Sequence, residues 1–144
     1  MENWTSFSDP RFALQLFYPQ IGTGGEPVER LDKQQPGMLR VHFLTPKSRE
    51  VYFELSKYGS LSAVSEYQQH TENLQKLFQK LRLTELVETR CASLPASQYT
   101  FEWEHGMRTV ILVEREAATY RFLFDPVHAI NYKILSTLRW VGVD

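Results

Sequence analysis

The stretch QYTFEWEHGMRTVILVEREAATYRFLFDPVHAINYKILSTLRW, residues 98–140, decides how the chain folds. It holds the densest run of apolar and aromatic residues in the sequence. Period-two alternation with β-branched and aromatic residues predicts strands at Tyr99–Glu104, Met107–Glu114 and Thr119–Phe124, then a helix over roughly 127–138. A two-residue turn at His105-Gly106 pairs Glu104 with Met107 and Phe101 with Val110. A four-residue loop, Arg115–Ala118, pairs Glu114 with Thr119 and Val110 with Leu123. In that register one face carries Tyr99, Phe101, Trp103, Val110, Leu112 and Leu123. The other carries Ile111, Val113, Tyr120, Phe122 and Phe124. An antiparallel sheet with one wet face does not look like this, so both faces require a cover.

Upstream, Phe12, Leu14, Leu16 and Tyr18 alternate in a strand over 11–18 that Pro19 stops, after a polar, turn-rich segment at residues 1–10. Residues 20–27 contain three glycines and read as a connector. GTGG lacks both the Lys-Ser/Thr of a P-loop and the G-x-G-x-x-G spacing, so it carries no phosphate-cradle signature. Val28–Leu31 reads as a short strand and Lys33–Gly37 as a turn. Met38–Leu44 and Glu50–Tyr58 form a hairpin across Pro46-Lys47-Ser48, with Arg40, His42, Tyr52 and Glu54 on its outer side. A helix is expected over 63–81, capped by Ser60 or Ser62, with Val64, Tyr67, Thr71, Leu74, Phe78 and Leu81 as its packed stripe. Residues 83–91 return as a strand, and 94–97 read as a loop.

The fold class that follows is α+β: a central antiparallel sheet of about six to seven strands with the 63–81 and 127–138 helices on its two faces, an α/β/α sandwich. At 144 residues, without linker or repeat, the chain reads as one domain, 1–144. A net charge of −1 argues against nucleic acid as a partner. A single cysteine, Cys91, excludes an intrachain disulfide. The N-terminal segment has neither the basic start nor the apolar core of a secretory signal, and no apolar run approaches a membrane span. The expectation is a cytoplasmic protein.

The strand ending in the Tyr-Pro turn (Phe12 to Pro19), the antiparallel hairpins, the long helix and the closing unit YRFLFDPVHAINYKILSTLRW resemble the PsbP/Mog1 fold family. The resemblance implies helices over both faces of an antiparallel sheet. It also implies binding rather than chemistry: PsbP proteins associate with the oxygen-evolving side of photosystem II, and Mog1 proteins bind a small GTPase. The tryptophan often found just after the Tyr-Pro turn is absent here, and no stretch maps onto the GTPase-binding surface, so neither specific activity carries over.

No catalytic constellation accompanies the fold. The four histidines, His42, His70, His105 and His128, are scattered, without zinc-ligand spacing. Glu102, Glu104 and His105 gather at one hairpin end, where a divalent cation is one reading and a solvated strand end the other. Cys91 reads as a buried apolar residue before it reads as a nucleophile. Glu85 and Glu88 have no identifiable cleft, and no G-x-S-x-G elbow is present. The chain is therefore expected to be a non-enzymatic binding module with a protein partner, with no catalytic residues, metal or cofactor. The alternative is a small-molecule or divalent-cation binding domain, or a small enzyme, with a pocket beside the 20–27 loop.

Overall fold

A computed structural model describes residues 3–59 and 61–142. In chain order the elements are β1 (Trp4–Ser8), β2 (Leu14–Pro19), β3 (Glu29–Gln35), β4 (Met38–Leu44), β5 (Tyr52–Gly59), α1 (Ala63–Leu77) and β6 (Arg82–Leu83). There follow β7 (Val87–Cys91), β8 (Leu94–Trp103), β9 (Gly106–Arg115), β10 (Ala118–Phe124), α2 (Ala129–Ser136) and β11 (Arg139–Trp140). Eight strands form one antiparallel sheet in the order β3-β4-β5-β10-β9-β8-β6, with β7 also paired to β8. A second sheet of three strands has the order β1-β2-β11. The architecture is thus α+β with more strands than the sequence patterning predicts, in part because the polar segment before Pro10 and Arg139–Trp140 both pair with β2.

The residues assigned to two faces in the sequence stay on two faces. Tyr99, Phe101, Val110, Leu112 and Leu123 pack together with Ala63 and Leu74 of α1. Ile111, Val113, Tyr120, Phe122 and Phe124 pack on the other side. There the cover is not a helix alone. Phe7, Leu14, Leu16 and Trp140 of the small sheet share it with Ile130 and Ile134 of α2. Trp140 stands edge-on to both Tyr120 and Phe122, with ring centroids 5.1 and 6.0 Å away, and donates its indole N–H to the Cys91 carbonyl at 3.0 Å.

The register differs in detail from the expected one. Trp103 pairs with Gly106, Tyr99 with Val110 and Phe101 with Arg108, so Glu104-His105 is the turn. The shift is two residues and leaves every side chain on its face. Gly106 serves packing here rather than the turn: a Cβ there would come within 3.3 Å of the Trp103 ring. The β9–β10 pairing of Glu114 with Thr119 and Val110 with Leu123 holds, but Arg115 also pairs with Ala118. The loop is therefore two residues, Glu116 and Ala117, with φ of 51° and 62°. Positive φ at both positions gives the turn the twist that hairpin strands need. Ala92 and Ser93, with φ of 47° and 78°, make the same kind of turn. That turn draws 94–97 into β8 instead of leaving a loop.

Ser62 caps α1, accepting from the Ser65 N–H at 3.1 Å, and the Ala63 N–H donates to the Glu114 carboxylate at 2.6 Å. The other candidate cap, Ser60, lies outside the described residues. The helix ends at Leu77, short of Leu81, and its packed stripe is rotated from the expected one. Val64 is exposed, while Ala63, Glu66 and Leu74 are buried. A stripe chosen by apolar spacing passes over Glu66, which faces an arginine of the sheet. The return strand over 83–91 splits into β6 and β7. Between them Thr84 keeps contact with β8 by exchanging bonds with Thr100: its N–H donates to the Thr100 carbonyl and its hydroxyl accepts the Thr100 N–H. At the other sheet edge β3 runs on through Gln35, and the turn narrows to Pro36-Gly37, where Gly37 takes φ of 77°.

Candidate interaction surface

The helix covers only the β8–β10 part of its face. Beside it, alternation on the β4–β5 hairpin brings Arg40, His42, Tyr52, Glu54, Ser56 and Tyr58 to the same side, with Arg40 opposite Ser56 and His42 opposite Glu54. All but the buried Ser56 are half-buried, and together they form a band. Arg40 donates from Nε to the Ser56 hydroxyl at 3.2 Å and lies 3.8 Å from Glu54. His42 stands edge-on to Tyr52, with ring centroids 4.5 Å apart. The Arg108 guanidinium sits 4.0 Å from the Tyr52 ring centre and 5.1 Å from that of Trp103, and 3.7 Å from the Asp125 carboxylate. A cation held between two aromatic faces is attracted by both and fixes them in place. Burial pushes the His42 imidazole below its ordinary pKa and the Tyr52 phenol above its own. The His42 Nε2 is buried with no hydrogen-bond partner among the described residues.

Under the edge of α1 the band continues into a buried polar foot. Arg121 projects from β10 toward the helix and meets Glu66 at 2.9 Å, both nearly fully buried. The Tyr99 hydroxyl lies 3.3 Å from the second Glu66 oxygen and 2.5 Å from His70 Nδ1. Burial opposes the Arg121 charge, but Tyr58, Glu66 and Glu54 outweigh it and raise its pKa. Burial, with the charges of Arg121 and Arg40, pushes the His70 imidazole down to about 3. His70 is therefore neutral at pH 7, and its 3.9 Å approach to Glu66 is not an ion pair. The sign for stability follows. The unfolded histidine takes up a proton below about pH 6.5 and the folded one does not, so stability falls from pH 6.5 down toward pH 3. His70→Gln should flatten this loss, which is at most about 1.4 kcal/mol per pH unit, in urea unfolding curves measured between pH 7 and 4.

The other sequence-derived candidates do not come together. Glu102 lies 3.8 Å from Arg82, and Glu104 lies 3.8 Å from Lys80 and 4.0 Å from His105, all at an exposed strand end. Among the described residues no three His, Cys, Asp or Glu side chains gather closely enough to hold a metal ion. The Cys91 thiol is buried, which pushes its pKa up to about 12 and removes its nucleophilic form at neutral pH. Glu88 lines an open groove with Val64, Arg90 and Glu114, and Glu85 is exposed. In the 20–27 loop the Gly22 N–H donates to the Glu26 carbonyl, the Gly25 N–H to that of Gly22 and the Thr23 N–H to the Glu50 carboxylate. Three of the donors an anion would use are thus already bonded within the protein. A cleft of about 370 Å³ does lie beside this loop, lined by Trp4, Pro19, Ile21, Glu50, His128 and Lys133.

Sequence reasoning named four residues of the band, Arg40, His42, Tyr52 and Glu54, and missed Arg108, Asp125 and the Glu66–Arg121 foot. One signal for the foot was available. An arginine inside the apolar run TYRFLF has no place on a buried face unless a carboxylate meets it.

No protein-family model matches the sequence, and no curated protein matches it. Solved structures do. The chain aligns with the solution structure of cyanobacterial PsbP (CyanoP) from Synechocystis sp. PCC 6803 at a TM-score of 0.68, covering 97% of this chain and 94% of that one. The fold is PsbP-like. Sequence identity is 10%, so the likeness is one of fold. A protein from Bacteroides thetaiotaomicron VPI-5482 also matches, with a TM-score of 0.51 and 14% identity over 94% of this chain and 47% of that one. The PsbP-like architecture rests on element order and on the two-faced sheet, not on shared side chains. Among the described residues no helix is long and apolar enough to cross a membrane.

Proposed function

We propose that this PsbP-type module is a non-enzymatic binding protein that docks a protein partner on the band formed by Arg40, His42, Tyr52, Glu54, Arg108 and Trp103. The observation that carries the reading is the Tyr52–Arg108–Trp103 stack. Aromatic and arginine side chains dominate the energetics of protein interfaces, and they do so best when held in place before binding. Here the cation, its two rings and the Asp125 carboxylate hold one another at the border of a half-covered sheet face. The chemistry of the remaining candidates supports binding over catalysis: the thiol is protonated, and the His70 imidazole is too weakly basic at neutral pH to accept a proton.

The test is affinity capture from the source organism with the wild type, Tyr52→Ala, Arg108→Ala, and Glu72→Gln on the exposed side of α1 as control. A partner retained by the wild type and by Glu72→Gln should bind each band variant at least about 10-fold more weakly, with melting curves confirming that both variants are folded. Equal capture by all four proteins would remove the band as the docking site.

A further inference from the structure

One free edge of the large sheet is β3, and all seven of its residues are exposed. Long exposed edges are usually guarded by charges that repel an added strand. The charges on this edge do something different.

The outward-facing backbone groups can be identified from the neighbouring strands. The Gly59 N–H donates to the Gly37 carbonyl and the Thr45 N–H to that of Val51, so the odd-numbered residues of β4 turn their peptide groups toward β5. The even-numbered residues turn theirs toward β3, where Arg40 faces Lys33 and His42 faces Leu31. In β3, therefore, Glu29, Leu31 and Lys33 bond inward, and Arg30, Asp32 and Gln34 leave their N–H and C=O groups free at the edge. A second antiparallel strand must place outward residues opposite outward residues. For two copies of β3 about a twofold axis, this requires the axis to pass through a residue. Centring on Arg30 sets Arg30 against Arg30, centring on Asp32 sets Asp32 against Asp32, and centring on Lys33 sets Lys33 against Lys33. Centring on Leu31 sets Arg30 against Asp32 and Glu29 against Lys33, each pair twice, with the half-exposed Leu31 against itself. Opposite charges across strands stabilise pairing and like charges oppose it.

We propose that β3 is a self-recognition edge through which two copies of this chain join antiparallel about Leu31, extending the eight-stranded sheet across the dimer. Four backbone hydrogen bonds form, two between each Arg30 and the facing Asp32. The Arg30–Asp32 ion pair already present within the strand, with both nitrogen–oxygen distances at 2.9 Å, closes with its copy into a ring of alternating charge. The Arg30 guanidinium also lies 4.9 Å from the Phe7 ring centre, which limits the freedom it loses on pairing. On the opposite face the two Leu31 side chains meet at a non-hydrogen-bonded position, where facing residues approach most closely. Only residues 29–33 of each copy pair, so the dimer is weak and concentration-dependent.

Sedimentation velocity at loadings from about 10 µM to about 1 mM reads this directly. The wild type should shift toward dimer across that range, and less so in high salt. Arg30→Asp and Asp32→Arg should each remain monomeric, because each sets like charges face to face. Mixed in equal amounts they should associate again, since both 30–32 pairs are then of opposite sign. Backbone amide exchange of Arg30 and Asp32 in the unmodified protein should slow as concentration rises, a readout that needs no variant. A wild type still monomeric at the highest loading, exchange independent of concentration, single variants that dimerise, or a mixture that fails to associate would each overturn the proposal.

Discussion

Replacing Glu66 with alanine should cost about 3–5 kcal/mol of folding stability, because it leaves the Arg121 guanidinium buried without a counter-charge. Arg121 is 7% exposed, and its Nε already lacks a partner among the described residues. In urea unfolding the midpoint should fall steeply with little change in slope, and the melting temperature should drop by roughly 10 °C. The cost belongs to the orphaned charge and not to the pair. Taking both groups out of water offsets most of what their attraction returns. Glu66→Leu with Arg121→Met should therefore regain most of the loss, to within about 1 kcal/mol of the wild type. A single variant that loses less than about 1 kcal/mol would mean that water reaches Arg121 and that the foot is not dry. The Tyr99 hydroxyl also loses an acceptor in Glu66→Ala, so the His70 signal in NMR spectra should move as well.

The second large effect is expected at Asn131. Its side chain is fully buried at the start of α2 and makes three bonds to backbone: it accepts the Tyr52 N–H at 3.0 Å and donates to the carbonyls of Glu50 at 3.1 Å and Asp125 at 3.0 Å. Those three groups sit where β5 begins and β10 ends, so one amide closes the end of the sheet and seats the helix. Asn131→Ala should cost about 3–5 kcal/mol, since each abandoned buried group carries its own desolvation penalty. Asn131→Leu, which fills the space, should lose nearly as much. If leucine proved neutral, the volume and not the hydrogen bonds would be the stabilising element. The consequence reaches the proposed docking band, because Tyr52 and Asp125 both hold Arg108. Either substitution should loosen the Tyr52–Arg108 stack before the whole chain unfolds, seen as faster amide exchange at Tyr52.

Much of this architecture was legible in the sequence because burial on both sides of a strand leaves a strong trace. The run VILV followed by TYRFLF admits no wet face, and the two clusters assigned from register alone are the two that pack. What stayed hidden falls into two kinds. Trp4–Ser8 and Arg139–Trp140 become strands only because β2 offers each of them a partner, and pairing over so long a separation leaves no local pattern. Glu66 leaves no trace in an apolar helix periodicity, because this inward position of the helix is a carboxylate answering Arg121. The surface band was half legible for the same reason. Alternation placed Arg40, His42, Tyr52 and Glu54 together, whereas Arg108 joins them from a strand more than fifty residues later. Helices over both faces were expected, yet a three-stranded sheet shares the second face with α2. A helix signal says that an element exists, not how much of a face it covers.

The partnership of β2 with β11 has a bearing on how the protein comes to be folded in the cell. Gln15 pairs with Arg139 and Leu14 with Trp140, so the small sheet joins segments more than a hundred residues apart in sequence. A ribosome produces β1 and β2 before β11, and they must wait for every element from β3 to α2 before their third strand emerges. Until then Tyr120 and Phe122 lack the Trp140 ring that stands against them, and that part of the aromatic face stays uncovered. Contacts closed over such separations form slowly, after the helix and local hairpins. β11 is thus the latch whose arrival completes the cover on this face.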